Sequence, residues 1–273
     1  MNENVLSPCL ACGSLDTSHV AAWGDWVDAC SRRDDGPMRL EAAQACGTAA
    51  GAPELRKCGP CQSVFMNPVP TGEQIGQFYA NYHATDDFVS KAPKKVKRAY
   101  KRLLPFRLRA LFSGSGRMLD VGASVGTAAE AGRKLGYSVT AQEIDADAVT
   151  RGRAMYPNVT FIEGFLTDVP VDDGYDLIHA AEVIEHVPDP AAFAAQLFER
   201  LRPGGQIFLT TPDVGHSKRP ANLMDWKSVK PPEHITLFTK AGLTKLFVDA
   251  GFETPKFRPH TKPGIRMKAR RPN

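Results

Sequence analysis

Residues 117–136 read RMLDVGASVGTAAEAGRKLG, a short apolar strand followed by a glycine-rich turn and a helix. The turn, GASVG at 122–126, fits G-x-S-x-G, the strand-to-helix turn that exposes a nucleophilic serine in α/β-hydrolases. A glycine-rich turn of this kind also fits a cofactor loop, because backbone N–H groups at a helix N-terminus bind polar ligands. Ser124 is therefore either a nucleophile or a small residue that lets the backbone approach a ligand.

The residues around this turn favour the cofactor loop. A hydrolase turn follows several strands and an oxyanion loop, whereas this turn follows the first evident strand of its region and no HGGG-like segment precedes it. Asp120 stands immediately before the turn. Glu143 ends the next strand, about 20 residues past the glycines, the spacing at which an acid accepts hydrogen bonds from ribose hydroxyls. We therefore interpret Ser124 as a small loop residue.

After residue 116, segments of strand character alternate with segments of helical character. Asp189 and Thr239 are predicted helix caps, and Pro203-Gly204-Gly205 predicts the end of a helix and a turn into the fifth strand. The alternation predicts an α/β fold, a Rossmann-like doubly wound sheet, mostly parallel, with its ligand at the carboxyl ends of the strands. A turn at 262–264 predicts a C-terminal antiparallel hairpin. The predicted strands are 117–121, 137–142, 159–162, 175–180, 206–211, 252–258 and 265–269.

Two C-x-x-C pairs stand in the N-terminal quarter of the chain. Each tight turn directs two thiolates at one ion, and two such turns complete the tetrahedral site that zinc prefers. Redox-active or idle thiols are the alternative, since the pairs are farther apart than in most zinc sites. Cys30 and Cys46 lie in an Ala/Gly-rich insertion at about 16–54 and are interpreted as small apolar residues. The predicted ligands of a structural zinc are Cys9, Cys12, Cys58 and Cys61.

Residues 91–109 contain nine Lys or Arg and no acid. They fit either a solvated connecting helix with leucines on its inward face, or a surface that grips phosphates or RNA. We favour the connecting helix. The leucines expected to face inward are Leu103, Leu104, Leu108 and Leu111.

The overall composition sets few further limits. A formal net charge of +4 requires neither a nucleic-acid nor a membrane partner, and the N-terminus, MNENVLSPCLACG, lacks the basic and apolar regions of a signal peptide. No apolar run approaches the roughly 18 residues of a membrane span. These features predict a soluble, cytoplasmic protein without a membrane partner, for which a small molecule is favoured over nucleic acid.

Four motifs in order, LDVGASVGT, TAQEID, YDLIHAAEVIEHVPDP and LRPGGQIFLTTPD, resemble those of class I S-adenosylmethionine-dependent methyltransferases. The segments LRKCGPCQSVFMNPVP, QFYANYH and PPEHITLFTKAGLTKLFVDAGF resemble the subgroup of small-molecule methyltransferases that carries an N-terminal zinc ribbon. The resemblance implies a zinc-ribbon module with its insertion at 1–70, a helical connector or cap at 71–112, and a class I methyltransferase domain at 113–273.

The resemblance also implies how the cofactor is held. Asp120 and the loop 122–126 would hold the methionine end of S-adenosylmethionine, and Glu143 would hold its ribose. Two positions depart from the family pattern, since Ser124 replaces a glycine and Phe165 replaces an acid that often contacts adenine. Phe165 then packs on the adenine or belongs to the core. The implied cofactor-binding residues are Asp120, Gly122, Ala123, Ser124, Gly126, Glu143, Ile144, Phe165, Tyr82 and Glu182.

The segment Glu182-Val-Ile-Glu185-His186 follows the fourth predicted strand. If it is helical, residues 182, 185 and 186 share one face and, with His234, could bind a divalent cation. The pattern is similar to E-x-x-E-H in ubiquinone-pathway O-methyltransferases and small-RNA 3′-terminal 2′-O-methyltransferases, and this resemblance implies magnesium. The alternatives are His186 or His234 as a general base without metal, and a structural role. The candidate catalytic residues are Glu185, His186 and His234.

The loop at 214–232 is expected to be a lid over the acceptor, because long loops at the ligand edge of a sheet often carry function. Met224, Trp226 and several lysines in it would suit an aromatic or anionic acceptor. Tyr79 and Tyr82 stand where the resembling subgroup has tyrosines in the cofactor cleft. The alternative is that these two rings only pack a helix.

Together, the motifs predict an enzyme that transfers the methyl group of S-adenosylmethionine to a small-molecule acceptor in a biosynthetic pathway, with O-methylation favoured. C- or N-methylation of a nucleotide-linked sugar is the nearest alternative. Two others are an RNA methyltransferase that uses the basic segments 91–109 and 256–271, and a non-catalytic zinc-ribbon adaptor with a decayed methyltransferase domain. The sequence does not fix the acceptor, the methylated atom or the oligomeric state.

Overall fold

The computed structural model describes residues 6–45, 47–48, 52–80, 90–106 and 116–273, which form two β-sheets and the helices around them. The strands are β1 (Thr17–Ala22), β2 (Glu54–Cys58), β3 (Val64–Asn67), β4 (Arg117–Val121), β5 (Ser138–Glu143), β6 (Thr160–Glu163), β7 (Tyr175–Ala181), β8 (Leu201–Pro212), β9 (Thr236–Leu237), β10 (Lys256–Phe257) and β11 (Gly264–Arg270). The α-helices are α1 (Trp23–Ser31), α2 (Gly36–Ala45), α3 (Gly72–Ala80), α4 (Ala92–Leu103), α5 (Thr127–Lys134), α6 (Ala146–Met155), α7 (Pro190–Arg200) and α8 (Lys240–Asp249).

The larger sheet has the order β10-β11-β8-β7-β4-β5-β6. Its strands β8, β7, β4, β5 and β6 are parallel, whereas β11 runs antiparallel to β8 and β10 antiparallel to β11. Helices α4 and α5 bury apolar side chains against one face of this sheet, and α7 and α8 against the other. The sheet confirms the predicted Rossmann-like α/β fold with a C-terminal antiparallel hairpin.

Local signals set the helix boundaries where side-chain caps are present. The Asp189 carboxylate accepts a hydrogen bond from the Ala192 N–H, and the Thr239 hydroxyl accepts one from the Gly242 N–H. Both predicted caps are therefore confirmed. Within the described ranges, no helix is long and apolar enough to cross a membrane.

The fifth strand of the alternating region begins earlier than the sequence predicts. β8 begins at Leu201 and runs through Pro203-Gly204-Gly205, with Gly204 at φ +71°. Its pairing with β7 is irregular between Tyr175 and Leu177. The proline and glycines therefore produce an irregularity within the strand rather than a turn before it.

Helix α4 carries the basic segment and ends at Leu103. Leu103 is buried, but Leu104 is 44% exposed, so the expectation that Leu104 faces inward is wrong. The reason is a 3-10 turn over Leu104–Phe106, which changes the helical period and directs Phe106 into the core. Leu108 and Leu111 lie outside the described residues.

The smaller, antiparallel sheet has the order β1-β2-β3-β9, so the C-terminal half of the chain supplies its fourth strand. Phe65 and the two C-x-x-C pairs pack with Phe238 and Phe247 in one apolar cluster. The N-terminal residues and the C-terminal half therefore share a core. The domain limits at 70 and 112 stay predictions.

The insertion between the cysteine pairs packs against the loop predicted as a lid. Trp26 of α1 shares a buried cluster with Met224, Trp226 and Val229. The Arg33 guanidinium donates hydrogen bonds to the carbonyl oxygens of Met224 (2.8 Å), Trp226 (3.3 Å) and Val229 (2.9 Å). Met224 and Trp226 therefore face the insertion rather than an acceptor, which corrects the expected lid.

The packing of α6 generates a stability prediction. A Cβ at Gly152 would lie 2.5 Å from Phe161 Cζ and 3.3 Å from the Val125 carbonyl oxygen, whereas a Cβ at Gly76 in α3 would meet nothing within 4 Å. Because overpacking a core costs about 1–3 kcal/mol, we expect Gly152→Ala to lower the free energy of unfolding by about that amount.

Gly76→Ala is the matched control and should leave the free energy of unfolding unchanged or raise it by about 0.5–1 kcal/mol. Urea unfolding followed by circular dichroism measures both variants. Equal stabilities would show that Phe161 does not press on α6.

Candidate active site

The glycine-rich loop joins β4 to α5 at the carboxyl edge of the sheet. Gly122 has φ +63° and Gly126 φ +80°, both in the left-handed region that favours glycine. A Cβ at Gly122 would lie 2.5 Å from Val183 Cγ2, and one at Gly126 would lie 2.5 Å from Phe161 Cζ. The loop therefore needs glycine at both positions for conformation and for space.

The Glu143 carboxylate fixes the conformation of this loop. Its Oε2 accepts a hydrogen bond from the Ser124 N–H (2.7 Å), and its Oε1 accepts from the N–H groups of Ile144 (2.7 Å) and Asp145 (3.1 Å). Burial raises the pKa of Glu143. Ser124, at φ +50°, contributes its backbone N–H to this arrangement, which agrees with its interpretation as a loop residue.

Asp120 lies beneath the loop. It is 1% exposed, and its Oδ1 lies 2.7 Å from His179 Nδ1, while the His179 ring stacks on Phe208. Its Oδ2 is buried and has no hydrogen-bond partner among the described residues. The contact of Asp120 with a cofactor stays a prediction. No local sequence signal indicates His179, because the register that brings β7 beside β4 is not visible in the sequence.

Two exposed apolar side chains follow the next two strands of the sheet, β5 and β6. Ile144 follows β5, and Phe165 follows β6 and is 62% exposed. The alternative that Phe165 belongs to the core is therefore wrong. Its backbone N–H donates to Asp168 Oδ2 (2.7 Å) in the turn after Gly164, which directs the ring outward. These positions agree with the prediction that Phe165 packs on an adenine ring, which stays a prediction. Tyr82 lies outside the described residues.

Glu185, His186 and His234 form a cluster whose ligand atoms lie within 4.8 Å of one another. Glu185 is fully buried, and its Oε2 accepts a hydrogen bond from the Thr211 hydroxyl (2.9 Å). Its Oε1 has no hydrogen-bond partner among the described residues and lies 3.9 Å from His186 Nε2. The two imidazole rings meet edge to face at 4.6 Å. The structure thus brings together all three candidate catalytic residues.

Each imidazole of the cluster is held by a hydrogen bond to a residue outside the cluster. The Tyr79 hydroxyl lies 2.8 Å from His186 Nδ1, which brings Tyr79 to this site. His234 Nδ1 lies 2.8 Å from the Ser228 carbonyl oxygen. Because a carbonyl oxygen only accepts, Nδ1 of His234 carries the proton, and in the neutral ring Nε2 has a free lone pair.

Glu182 lies outside this cluster. The segment is not α-helical, since only Ile184–His186 form a 3-10 turn and Glu182 has φ +58°. The Glu182 carboxylate accepts a hydrogen bond from the Thr210 hydroxyl (2.9 Å), whereas Glu185 binds Thr211. Successive residues of a strand point to opposite faces, so the two carboxylates are held on opposite sides of β8. The expected common face for residues 182, 185 and 186 is therefore wrong.

Burial keeps the imidazoles of the cluster neutral. It lowers the pKa of His186 to about 4 and lowers the pKa of His234 well below its ordinary value. Burial, with the neighbouring charge of Glu182, raises the pKa of Glu185. At neutral pH both rings are therefore uncharged, and each has a nitrogen lone pair that can accept a hydrogen bond or bind a cation.

An ion pair from the insertion supports the segment that carries His234. Arg39 of α2 pairs with Glu233, and both side chains are nearly buried. Asp35 accepts a hydrogen bond from Arg39 Nε (2.7 Å), and Lys230 Nζ lies 3.8 Å from Glu233. No local sequence signal indicates Arg39, because 194 residues separate it from Glu233.

The four cysteines of the C-x-x-C pairs form a second cluster. The Sγ atoms of Cys9 and Cys61 lie 3.6 Å apart, those of Cys12 and Cys58 lie 3.5 Å apart, and all four lie within 4.8 Å of one another. A tetrahedron with Zn–S bonds of about 2.3 Å has edges of about 3.8 Å, so the thiols fit zinc. Cys30 is buried in the apolar cluster of the insertion, as expected. Cys46 lies outside the described residues.

Known proteins resemble about half of this chain. A protein from Mycolicibacterium smegmatis, named a probable S-adenosylmethionine-dependent methyltransferase, is 31% identical over 138 residues, 50% of this chain and 51% of that protein. A ubiquinone biosynthesis O-methyltransferase from Xanthomonas campestris is 31% identical over 169 residues, 54% of this chain and 66% of that protein. In both cases, the chain matches less than two-thirds of the relative's length.

Among solved structures, an S-adenosylmethionine-dependent methyltransferase from Mesorhizobium loti matches with 18% identity and a TM-score of 0.48, covering 57% of this chain and 92% of that chain. A family model described as "Methyltransferase domain" matches residues 88–255, more than half of the chain. This span includes the glycine-rich loop and the cluster of Glu185, His186 and His234. The chain therefore belongs to the family of S-adenosylmethionine-dependent methyltransferase domains.

Proposed function

We propose that this protein transfers the methyl group of S-adenosylmethionine to a hydroxyl oxygen of a small-molecule acceptor in a biosynthetic pathway. The main support for this proposal is the cluster of neutral imidazoles. It lies near the glycine-rich loop, because Val183, three residues before His186, packs against Gly122 of that loop. The name of the Xanthomonas relative, a ubiquinone biosynthesis O-methyltransferase, supports oxygen as the methylated atom. C- or N-methylation needs no such cluster unless the acceptor must lose a proton.

In this proposal, the cofactor is held at the carboxyl edge of β4 and β5. Glu143 would accept hydrogen bonds from the ribose, Ile144 and Phe165 would contact the adenine, and Asp120 with the loop would hold the methionine end. When bound, S-adenosylmethionine supplies a methyl group on a positively charged sulfur. The protein then mainly has to align the acceptor with that methyl group and exclude water.

A hydroxyl acceptor becomes a better nucleophile when it loses its proton. His234 Nε2, with its free lone pair, would accept this proton directly or through His186, and Tyr79 would hold His186 in place. A divalent cation such as magnesium is the alternative. Glu185, His186 and His234 would be its ligands, and the buried Glu185 Oε1 without a described partner supports that choice.

The cofactor site predicts the outcome of a binding experiment. We expect S-adenosylmethionine to bind with micromolar affinity and Glu143→Ala to weaken binding at least tenfold, about 1.4 kcal/mol, because the variant loses the ribose contact and the hydrogen bond to the loop. Isothermal titration calorimetry measures both. Glu199→Ala, an exposed acid on α7, is the matched control and should bind like the wild type.

No binding by the wild-type protein would contradict the proposed function and would favour the non-catalytic adaptor. If the Glu143→Ala variant binds S-adenosylmethionine as tightly as the wild type, the protein binds the cofactor but Glu143 does not contribute to its site.

We also propose that Cys9, Cys12, Cys58 and Cys61 hold a structural zinc. Their sulfur positions fit a tetrahedral ion, and they lie in the core shared by both sheets. Purified protein should therefore contain one zinc per chain by elemental analysis, and Cys58→Ser should lose it. Cys30→Ser, which changes a buried cysteine outside the cluster, should retain it. The site would be contradicted if the wild-type protein contained no zinc and its free energy of unfolding were the same with and without added zinc.

A further inference from the structure

Three arginines lie at the carboxyl end of β8, on the face of the sheet that α4 covers. Arg98 and Arg102 are four residues apart in α4 and so share one side of that helix. The end of α4 is held over β8 and β11, because the Phe106 ring lies 5.8 Å from that of Phe208 and Lys268 Nζ lies 5.5 Å from the Phe106 ring. This contact brings the arginine side of α4 toward the two strands.

Arg266 of β11 completes the group. It is paired with Thr210 of β8 in the antiparallel register, so the two side chains share a face of the sheet. The Thr210 hydroxyl in turn donates to Glu182. Burial lowers the pKa of Arg102, the charges of Arg266 and Arg98 lower it further, and the charge of Glu182 opposes them. The side chains of Arg98, Arg266 and Glu182 therefore all lie near enough to Arg102 to act on its charge.

The charges of this group are unbalanced. Arg98 is exposed, whereas Arg102 and Arg266 are half-buried, and none of the three guanidinium groups forms an ion pair or hydrogen bond with a described residue. Arg117, by contrast, pairs with Asp172. Partly burying a guanidinium group without a partner is unfavourable, so the two half-buried guanidinium groups would be stabilised by a further anion.

We propose that Arg98, Arg102 and Arg266 bind an anionic group of the acceptor, a carboxylate or a phosphate. The planar fork of a guanidinium group matches the oxygens of both. Glu182 directly precedes Val183, which contacts Gly122, so the anion would lie beside the cofactor loop. The site rests on the proposed function, because it selects the acceptor of the same reaction.

Binding of simple anions tests this site without knowledge of the acceptor. We would titrate inorganic phosphate and benzoate into the full-length protein at low ionic strength, with and without S-adenosylhomocysteine. The wild type should bind at least one of them, and R102Q/R266Q should weaken that binding at least tenfold. The control K94Q/K101Q removes two exposed charges of α4 and should stay within twofold of the wild type.

The anion that binds with the higher affinity would indicate whether the acceptor carries a phosphate or a carboxylate. The proposal is overturned if the wild type binds neither anion or if R102Q/R266Q binds both like the wild type. It is also overturned if K94Q/K101Q loses as much binding, since that would indicate a diffuse basic surface of the kind that binds RNA. If the double variant does not fold, R266Q alone should still weaken binding severalfold.

Failure of this site and failure of the proposed function are distinguishable. R102Q/R266Q should bind S-adenosylmethionine like the wild type, because no arginine of the group belongs to the cofactor loop. A wild type that binds anions but not S-adenosylmethionine would contradict the methyltransferase proposal alone.

Discussion

The close approach of Gly122 to Val183 connects the two halves of the candidate active site. Gly122 begins the loop after β4. Val183 follows β7 and lies between Glu182 and Glu185 along the chain. A side chain at Gly122 would occupy the space of Val183 Cγ2, so the loop and the cluster fit together only with glycine there. This constraint keeps the proposed methyl donor and the proposed proton acceptor at adjacent strand ends.

The N-terminal residues belong to the same structural unit as the site. Arg33 holds three carbonyl groups of the 214–232 loop, and Arg39 holds Glu233, the neighbour of His234. The insertion thus supports the segment that carries His234, which borders the proposed acceptor site. The shared core around the four cysteines extends this support to α8, so loss of a zinc ion there would be expected to disturb the cleft as well as the small sheet.

The sequence predicts features that depend on neighbouring residues. The alternating elements, the caps at Asp189 and Thr239 and the two cysteine pairs all have local signals, and the structure agrees with each of them as an element, cap or cluster. The common helical face expected for residues 182, 185 and 186 is not found. Glu182 instead adopts a left-handed conformation, and its carboxylate accepts a hydrogen bond from Thr210 of β8. An exposed Phe165 likewise follows from the turn that its backbone makes with Asp168.

Features that join distant parts of the chain could not be predicted. The pairing of Arg39 with Glu233 and of Asp120 with His179 depends on strand order and on the packing of the insertion. The same holds for Met224 and Trp226, whose apolar character suited either a lid or a core. Only the position of α1 shows that they are core residues.

The central claim is that burial keeps the imidazoles of His186 and His234 uncharged at physiological pH in the candidate active site. NMR titration of the His186 ring, assigned with a His186→Gln variant, tests it most directly. The account predicts that His186 stays neutral down to about pH 4, because burial disfavours its charged form. Titration near the ordinary value of about 6.5 would contradict the account, since the ring would then be solvated rather than enclosed by the cleft.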